Sequence, residues 1–162
     1  MPTGHRCLLI VASSQRTRSA PGLLPAIERY DGVNFRVLRK AQREGYWPKD
    51  LDVLILSAKY GLLKSDTLIE NYDLKMTPRW AIELRVRVSA DLDECLERTP
   101  YSEVFINLGK VYLAALALSK ELTTLDKRVH YATGGIGEKM SQMKKWLQGV
   151  SASQGESSNE PR

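Results

Sequence analysis

Four residues whose side chains suit the binding of a phosphorylated ligand follow directly on an apolar run of the chain. The run is Val53 to Leu56, and Ser57, Lys59, Tyr60 and Gly61 come after it. A hydroxyl can donate a hydrogen bond to a ligand, an ammonium can pair with a phosphate, and a phenol ring can stack on a base. Because open parallel sheets bind ligands at the carboxyl ends of their strands, we expect a site where this run ends.

Each of these residues also has a purely structural interpretation. Ser57 can cap the local backbone, and Lys59 can be a solvated loop lysine or can pair with Asp66. Tyr60 can cover the core with its hydroxyl pointing outward, and Gly61 can mark a backbone conformation that other residues disfavour. The residue types alone leave both interpretations open.

Two carboxylates and one amide are the candidates for catalysis. Asp66 and Asp73 follow Ser57 within one loop's reach, and a carboxylate beside an anomeric carbon can orient water or stabilise an oxocarbenium-like transition state. We expect Asp66 to act in this way, although it can equally cap a turn. Asn107 follows a strand and can contact a base or a sugar, although it can equally support its own turn. Tyr72 is a second candidate for stacking on a base.

A glycine-rich turn towards the end of the chain is a candidate phosphate contact. Gly134, Gly135 and Gly137 precede a helical pattern, and glycine allows backbone N–H groups to approach an anion at a helix N-terminus. The spacing is not that of the dinucleotide-binding fingerprint, and a tight turn explains it equally well. Two other loops contribute the remaining predicted ligand-binding residues, which are Ser13, Ser14 and Lys110.

Apolar runs and helical patterns alternate along the chain and predict the elements that carry these residues. Strands are predicted at 8–12, 51–56, 103–108 and 128–132, with either a strand at 34–38 or a basic helix over 36–44. Helices are predicted at 21–30, 77–98, 112–122 and 138–147. This order predicts a three-layer α/β/α sandwich with a mostly parallel central sheet of about four strands. Its strand ends should bring the loops 13–18, 57–61, 107–110 and 133–137 to one edge.

Length and composition favour a small globular protein of the cytoplasm. Of 162 residues, 43% are hydrophobic and 27% are charged, which favours one α/β domain over 1–149 and a disordered polar tail over 150–162. No run approaches the length of a membrane span, and the first residues lack the pattern of a secretory signal. Cys7 and Cys95 are expected to be buried thiols, and no Cys/His spacing calls for a metal or a cofactor.

The charge of the chain favours a polyanionic partner. The net charge is +5 and the sequence pI is about 9.2. Each basic side chain can be an ordinary solvated group, but several of them near one sheet edge would attract phosphates. The basic residues considered for this role are Arg16, Arg18, Arg36, Arg39, Lys40, Arg43, Arg79, Arg85, Arg87, Lys139, Lys144 and Lys145.

The central segment resembles the signature of the peroxide-stress protein YaaA family and of its small relatives of unknown function. The resemblance is carried by the segment 57–63 (Ser-Ala-Lys-Tyr-Gly-Leu-Leu), Asp66, Ile69, Tyr72 and Met76. The polar loop after the first strand and the Gly-Gly-Ile-Gly turn before Trp146 are similar to the ends of those relatives. The resemblance implies a three-layer α/β fold akin to uracil-DNA glycosylases, DNA binding, and a role in oxidative or DNA damage.

The chain departs from this family pattern in three respects. It is much shorter than the stress protein, and its first loop reads Ser13-Ser14-Gln15-Arg16 rather than a cysteine- and lysine-rich sequence. It also lacks a Gly-Gln-Asp-Pro-Tyr motif of the kind that activates water in the glycosylases.

Residues and resemblance together predict a protein that handles nucleic acid, DNA rather than RNA, or a nucleotide-like ligand. If the protein is an enzyme, cleavage of an N-glycosidic bond is the reaction class that we expect. Two alternatives stay open at this point. One is a DNA-binding stress protein without catalytic activity, and the other is an enzyme that acts on a nucleoside or a sugar phosphate.

Overall fold

The computed structural model describes residues 6–158 and places a five-stranded sheet at the centre of the molecule. The strands of the chain are Cys7–Ala12 (β1), Leu24–Pro25 (β2), Leu51–Ser57 (β3), Gly61–Lys64 (β4), Leu68–Ile69 (β5), Glu103–Asn107 (β6) and Val129–Tyr131 (β7). The order in the central sheet is β4-β3-β1-β6-β7, and β2 pairs with β5 in a separate two-stranded sheet. Strands β3, β1, β6 and β7 are parallel, whereas β4 is antiparallel to β3.

Helices cover both faces of the central sheet. They are Ala26–Arg29 (α1), Val33–Glu44 (α2), Pro78–Arg98 (α3), Lys110–Leu113 (α4), Lys120–Leu125 (α5) and Ile136–Ser158 (α6). One face packs on α2 and α6, and the other packs on α3 and the short helices between β6 and β7. The predicted three-layer α/β sandwich with a mostly parallel sheet is confirmed. Among the described residues, no helix has the length and apolar character needed to span a membrane.

Alternate residues of β1 enter the two cores, which explains its uninterrupted apolar sequence. Leu9 and Val11 pack in the core on the α2 side, while Leu8 and Ile10 pack in the core on the α3 side. A strand that is buried on both faces needs apolar side chains at every position. The residues between Leu8 and Val11 are accordingly 0% exposed.

The chain leaves β1 and β6 in opposite directions across the sheet, which creates a crevice between these two strands. From β1 the connection through α2 leads to β3 on one side, and from β6 the connection through the short helices leads to β7 on the other side. Open α/β sheets bind ligands at such a switch point, outside the carboxyl ends of the strands. The loops after β1 and β6 flank this crevice.

Several predicted elements differ from the structure. Of the two alternatives predicted for the stretch 34–44, the strand at 34–38 is wrong and the helix over 36–44 is confirmed, because Phe35, Leu38 and Ala41 have helical spacing and bury one face of α2. Only Ala26–Arg29 of the helix predicted at 21–30 is helical. The helix predicted at 112–122 is broken into short pieces, and a strand, β4, was not predicted. Helix α6 continues to Ser158, so the tail predicted to be disordered from 150 is helical as far as the structure describes it.

The buried Arg29 holds the long loop after β1 against the second sheet. Its side chain is fully buried, and its guanidinium donates to the carbonyl oxygens of Arg18 (2.7 Å), Ala20 (2.9 Å) and Gly22 (2.6 Å). A fourth, longer bond reaches the carbonyl oxygen of Ile69 in β5 (3.4 Å). A buried guanidinium needs such partners, because leaving its donors unpaired is costly. The loop therefore has a defined path although it lacks regular structure.

Asp52 should make the stability of the protein fall in acid. Desolvation raises the pKa of this carboxyl, but hydrogen bonds from Arg6 and Tyr101 outweigh it, so the pKa lies below its ordinary value. The stabilisation is present above the unfolded-state pKa of about 3.9 and is lost as the pH falls through the folded-state pKa. We expect the free energy of unfolding, measured by urea denaturation, to fall less steeply below about pH 4 in Asp52→Asn than in the wild type.

Asp66→Asn is the matched control for this experiment. It removes the same charge from the same region but leaves the bonds among Arg6, Asp52 and Tyr101 in place. An acid dependence that is identical in wild type and Asp52→Asn would contradict the assignment.

Candidate functional site at the carboxyl edge of the sheet

Side chains and backbone groups from three strand ends meet at the carboxyl edge of the sheet. The Ser13 amide, just after β1, donates to the Leu56 carbonyl of β3 (3.0 Å). The pKa of Tyr112, which follows β6, responds to the Ser13 side chain, so these two residues are neighbours. The loops after β1, β3 and β6 therefore converge, as parallel strands require.

The loop after β7 joins the same edge through Lys139. The Nζ atom of Lys139 lies 4.0 Å from the position that a β-carbon on Gly109 would occupy. Gly109 caps α4 directly after β6, so the first turn of α6 reaches the loop at the end of β6. The expectation that all four loops share one edge agrees with this geometry.

Three hydroxyl groups form the centre of this edge. The Tyr72 hydroxyl hydrogen-bonds Ser57 Oγ (2.6 Å) and the hydroxyl of Tyr30. Ser57 is fully buried, and its Oγ also accepts from the amides of Lys59 and Tyr60 (3.1 Å each). Burial, as the largest cause, raises the pKa of Tyr30 and keeps its phenol protonated. Ser57 therefore caps its own turn, and its hydroxyl is already engaged within the protein.

Two further hydroxyls, those of Tyr112 and Ser13, extend this group towards the crevice between β1 and β6. Burial raises the pKa of Tyr112, and the nearby Ser13 side chain opposes that effect. The pKa of Tyr112 also responds to the charge of Tyr72, which places the two phenols in the same neighbourhood. We call Ser13, Tyr30, Ser57, Tyr72 and Tyr112 the hydroxyl cluster.

Lys59 lies over two aromatic rings at the mouth of the hydroxyl cluster. Its Nζ atom is 5.3 Å from the ring centroid of Tyr60 and 5.6 Å from that of Tyr72. The two rings meet edge to face, with centroids 5.5 Å apart. An ammonium is attracted to aromatic faces and can at the same time pair with an anion. The half-buried Tyr60 presents part of its ring on the same surface.

Gly61 allows the tight turn that carries Lys59 and Tyr60. Its φ is +73°, in the left-handed region that side chains disfavour, and it pairs with Ser57 in the β3–β4 hairpin. A β-carbon there would also approach the Arg87 guanidinium to 3.2 Å, and that guanidinium donates to the Tyr60 carbonyl (2.9 Å). Gly61 thus has a backbone role.

Three arginines surround Asp31 beside this edge, and we call these four residues the arginine cluster. Arg16 and Arg36 lie 3.7 and 3.6 Å from the carboxylate, whereas Arg39 makes a hydrogen bond of 2.5 Å to it. Desolvation raises the pKa of Asp31, but the neighbouring guanidinium groups, Arg36 foremost, bring it below its ordinary value. One carboxylate against three guanidinium groups leaves a strongly positive surface.

Ser14 places the arginine cluster at the N-terminus of α2. The Ser14 hydroxyl donates to the carbonyl oxygen of Arg16 (2.7 Å) and accepts from the amide of Gly32, the N-cap of α2 (3.1 Å). A side chain on Gly32 would collide with Ser14, at 2.6 Å from its Cβ. Since the first turn of a helix carries partial positive charge, α2 adds to the field of the arginines.

The glycine turn before α6 is occupied by a carboxylate of the chain itself. Gly134 has a φ of +86°, and a β-carbon there would lie 2.3 Å from Oε2 of Glu138. The Gly135 amide donates weakly to the same carboxylate (3.5 Å), and Gly137 lies within the first turn. Glu138 therefore fills the position that a phosphate would take, and a structural turn is the better interpretation. Lys110, by contrast, is exposed at this edge.

The structure does not bring Asp66 to the candidate site. Strand β4 runs back from Gly61 to Lys64, about 10 Å for three steps of an antiparallel strand. The Ser65 amide then donates to the Val53 carbonyl in the first half of β3 (3.1 Å). Asp66 thus lies towards the opposite edge of the sheet, so its expected role beside Lys59 does not fit the geometry. Asp73 is exposed in the segment before α3.

Asn107 is buried rather than displayed on the rim. Its side chain is 2% exposed, and its amide nitrogen donates to Asn34 Oδ1 (3.0 Å) and to Met143 Sδ (3.4 Å). These bonds join β6 to α2 and α6. Asn107 therefore supports the edge from below, and the prediction that it contacts a ligand is not supported by its position.

Three cavities of the described residues lie away from this edge. One of about 550 Å³ is lined by Trp47, Asp52 and Asp66, and one of about 470 Å³ lies beside Tyr131. A third, of about 280 Å³, lies near Trp146. None of the three is lined by the four converging loops. The candidate site itself is built from the loops that follow the strands.

Sequence reasoning missed Tyr30, Asp31 and Tyr112. Tyr30 and Asp31 lie at the end of a stretch predicted as an ordinary helix, and Tyr112 was placed inside a helix. Their partners are distant in sequence, as in the bond between Tyr30 and Tyr72. One local signal was present, since Tyr112 follows a strand end by only five residues.

Removing the Tyr72 hydroxyl should destabilise the protein. Tyr72→Phe leaves the buried Tyr30 hydroxyl without this partner, and we expect the free energy of unfolding to fall by about 1–3 kcal/mol. Urea denaturation followed by circular dichroism measures this change. Tyr60→Phe is the control, because it removes a phenol hydroxyl from the adjoining ring, and it should change stability by no more than about 0.5 kcal/mol. Equal stability of wild type and Tyr72→Phe would refute the role of the cluster.

Comparison with known proteins places the chain in a family but gives no activity. A family model matches residues 8–147, and its description reads "Family of unknown function (DUF6884)". The match includes all five strands of the central sheet apart from Cys7, and about the first half of α6. A search of the curated proteins finds no match for the chain.

Proposed function

Because this chain belongs to the DUF6884 family, whose description assigns no activity, we propose from the site alone that it binds phosphate groups of a nucleic acid or nucleotide. The arginine cluster is the main observation that supports this proposal. Arg16 and Arg36 are 70% and 53% exposed, and both lie beyond hydrogen-bond distance of Asp31. Guanidinium groups in such a position can bind a phosphate in bidentate fashion.

The electrostatic field of the helix dipoles also favours a phosphate ligand. Helices α2, α3 and α6 all run antiparallel to the parallel strands, so their positive N-terminal ends lie at the carboxyl edge. The Trp80 indole in the first turn of α3 donates to the Ala58 carbonyl after β3 (2.6 Å), which ties α3 to this edge. Exposed Lys59 and Lys110 add mobile positive charge.

The aromatic surface at Lys59 favours a ligand that also carries bases. Tyr60 and Tyr72 offer ring surface next to an ammonium, an arrangement suited to stacking a base while its phosphate is neutralised. A loop surface with separate cationic groups suits a single strand better than a small, enclosed metabolite. We therefore propose single-stranded nucleic acid, DNA before RNA, as the ligand.

Cleavage of an N-glycosidic bond stays a prediction and is the weaker part of the hypothesis. Asp66 lies towards the other edge, and the Asp31 and Glu138 carboxylates are engaged with arginines and with the glycine turn. Asp73 is the exposed carboxylate closest in sequence to Tyr72. Phosphate binding does not need a free carboxylate. Binding without cleavage is therefore the function that the arrangement supports best.

Loss of either exposed guanidinium should weaken binding and its dependence on salt. We expect Arg16→Ala and Arg36→Ala each to lower the affinity for a labelled single strand several-fold, and to reduce the salt slope by about one ion per lost phosphate contact. Fluorescence anisotropy at several salt concentrations measures both quantities. A duplex and a mononucleotide, used as competitors, report whether the ligand is a single strand.

Lys127→Ala is the matched control, because this exposed lysine precedes β7 at the opposite edge of the sheet. It removes one positive charge and should leave the affinity and the salt slope nearly unchanged. Equal effects of the three substitutions would show only a general charge effect and would contradict the proposed site.

Lys59 and Tyr60 should contribute to binding without contributing to folding. Lys59 is exposed, and Tyr60 packs only at the margin of the core and is half-buried, so the fold should tolerate the loss of either side chain. We expect Lys59→Ala and Tyr60→Ala to weaken single-strand binding with far-UV circular dichroism unchanged; for Tyr60, loss of stacking corresponds to about 1–3 kcal/mol. Loss of folding in both variants, or wild-type affinity in both, would be the contrary result.

A further inference from the structure

Helix α3 presents an apolar stripe to the surface of the molecule. Ile82 is 50% exposed and Val86, one turn later, is 67% exposed. Ala90 continues the same stripe at the next turn and is also exposed. Leu118, 48% exposed, lies alongside, because its amide donates to Ser89 Oγ (3.2 Å). The opposite side of α3 is buried against the sheet through Leu84, Val88 and Leu92.

The charges of α3 are divided between its two halves. The first half, 78–88, carries three arginines and one glutamate, and the second half, 89–98, carries four carboxylates and one arginine. One of the carboxylates, Asp93, is committed to capping α5 through Ser119 and the Glu121 amide. The exposed surface of α3 is therefore basic near its N-terminus and acidic near its C-terminus.

This distribution is unfavourable for an isolated helix. Positive charge near a helix N-terminus and negative charge near its C-terminus oppose the helix dipole. Arg79 lies in the first turn, with no acidic residue beside it there, and Glu94 and Glu97 lie in the last two turns. The ion pairs within the helix, such as Arg79–Glu83 at 3.4 Å, are exposed and contribute little.

We infer that this face of α3 binds the same face of a second copy of the chain, with the two helices antiparallel. Arg79 and Glu97 are 18 residues apart, which is five helical turns, so both lie on the side that carries Val86. A two-fold axis near residue 88 sets Arg79 against Glu97 of the second copy and Val86 against Ala90 of the second copy. The basic half of each helix then faces the acidic half of the other.

Charge complementarity identifies the occupant as another copy of this chain. An isologous interface needs a surface that is complementary to itself, and a stripe with opposite charges at its two ends meets this requirement when reversed. The helix of 21 residues is about 31 Å long, and Leu118 widens the apolar surface at its side. The inference is independent of the proposed phosphate site.

Sedimentation velocity of the full chain at several concentrations tests this inference. The wild type should sediment as a dimer of the 18.3 kDa chain. Arg79→Glu alone and Glu97→Arg alone should each raise the dimer dissociation constant at least tenfold, because each sets like charges against one another. An equimolar mixture of the two variants should recover the dimer, since every cross-pair is then opposite in charge.

Val86→Lys and Val33→Lys form the second, matched test. Both valines are more than half exposed on a helix, but Val33 belongs to α2. Val86→Lys should give a monomer with unchanged circular dichroism, and Val33→Lys should remain a dimer. A monomeric wild type at every concentration, a dimer that persists in Val86→Lys, or charge variants that do not recover on mixing would overturn the inference.

Discussion

The parallel pairing of β1 with β3 on one side and β6 on the other is the constraint on which the rest of the structure depends. Each residue from Cys7 to Val11 has a partner on both sides, so the three strands end at the same level. The polar loops that follow the three strands therefore lie next to one another. A site made of residues from distant parts of the chain is a consequence of this register.

Hydrogen bonds of the hydroxyl cluster and of Arg29 fix the positions of these loops and so define their surface. Tyr72 lies between Ser57 and Tyr30, and thereby joins the segment before α3 to the end of β3 and to the end of α1. Arg29 holds the preceding loop through carbonyl groups. Because Arg29, Tyr30 and Ser57 are buried, the exposed cations next to them are carried on a rigid support, which would limit the entropy lost in the proposed binding.

The sequence predicts the architecture well because apolar runs and caps are local signals. The uninterrupted β1 and the Thr77-Pro78 start of α3 are both confirmed, and Thr77 indeed accepts from the Trp80 amide. The strand β4 was missed because four residues after a turn give no clear period. The helix over 33–44 was ambiguous until the burial of Phe35 showed which face lies inward.

The site was harder to predict than the fold, because side-chain roles depend on partners that are distant in sequence. Ser57 and Asn107 have the polar character expected of ligand contacts, yet both are buried and bonded to the protein. Asp66 is close to Lys59 in sequence, but β4 carries it away. The glycine turn has a backbone that can approach an anion, yet Glu138 fills it. No local pattern reports any of these contacts.

We have proposed that phosphates of a nucleic acid bind at the carboxyl edge of the sheet. Titration of the isotope-labelled protein with a short single-stranded DNA, followed through the amide chemical shifts, locates such binding residue by residue. We expect saturable shift changes confined to the loops that hold Arg16, Lys59 and Lys110 and to the first turn of α2. Shift changes centred instead on the cavity beside Asp52 and Asp66, or none at all, would contradict it.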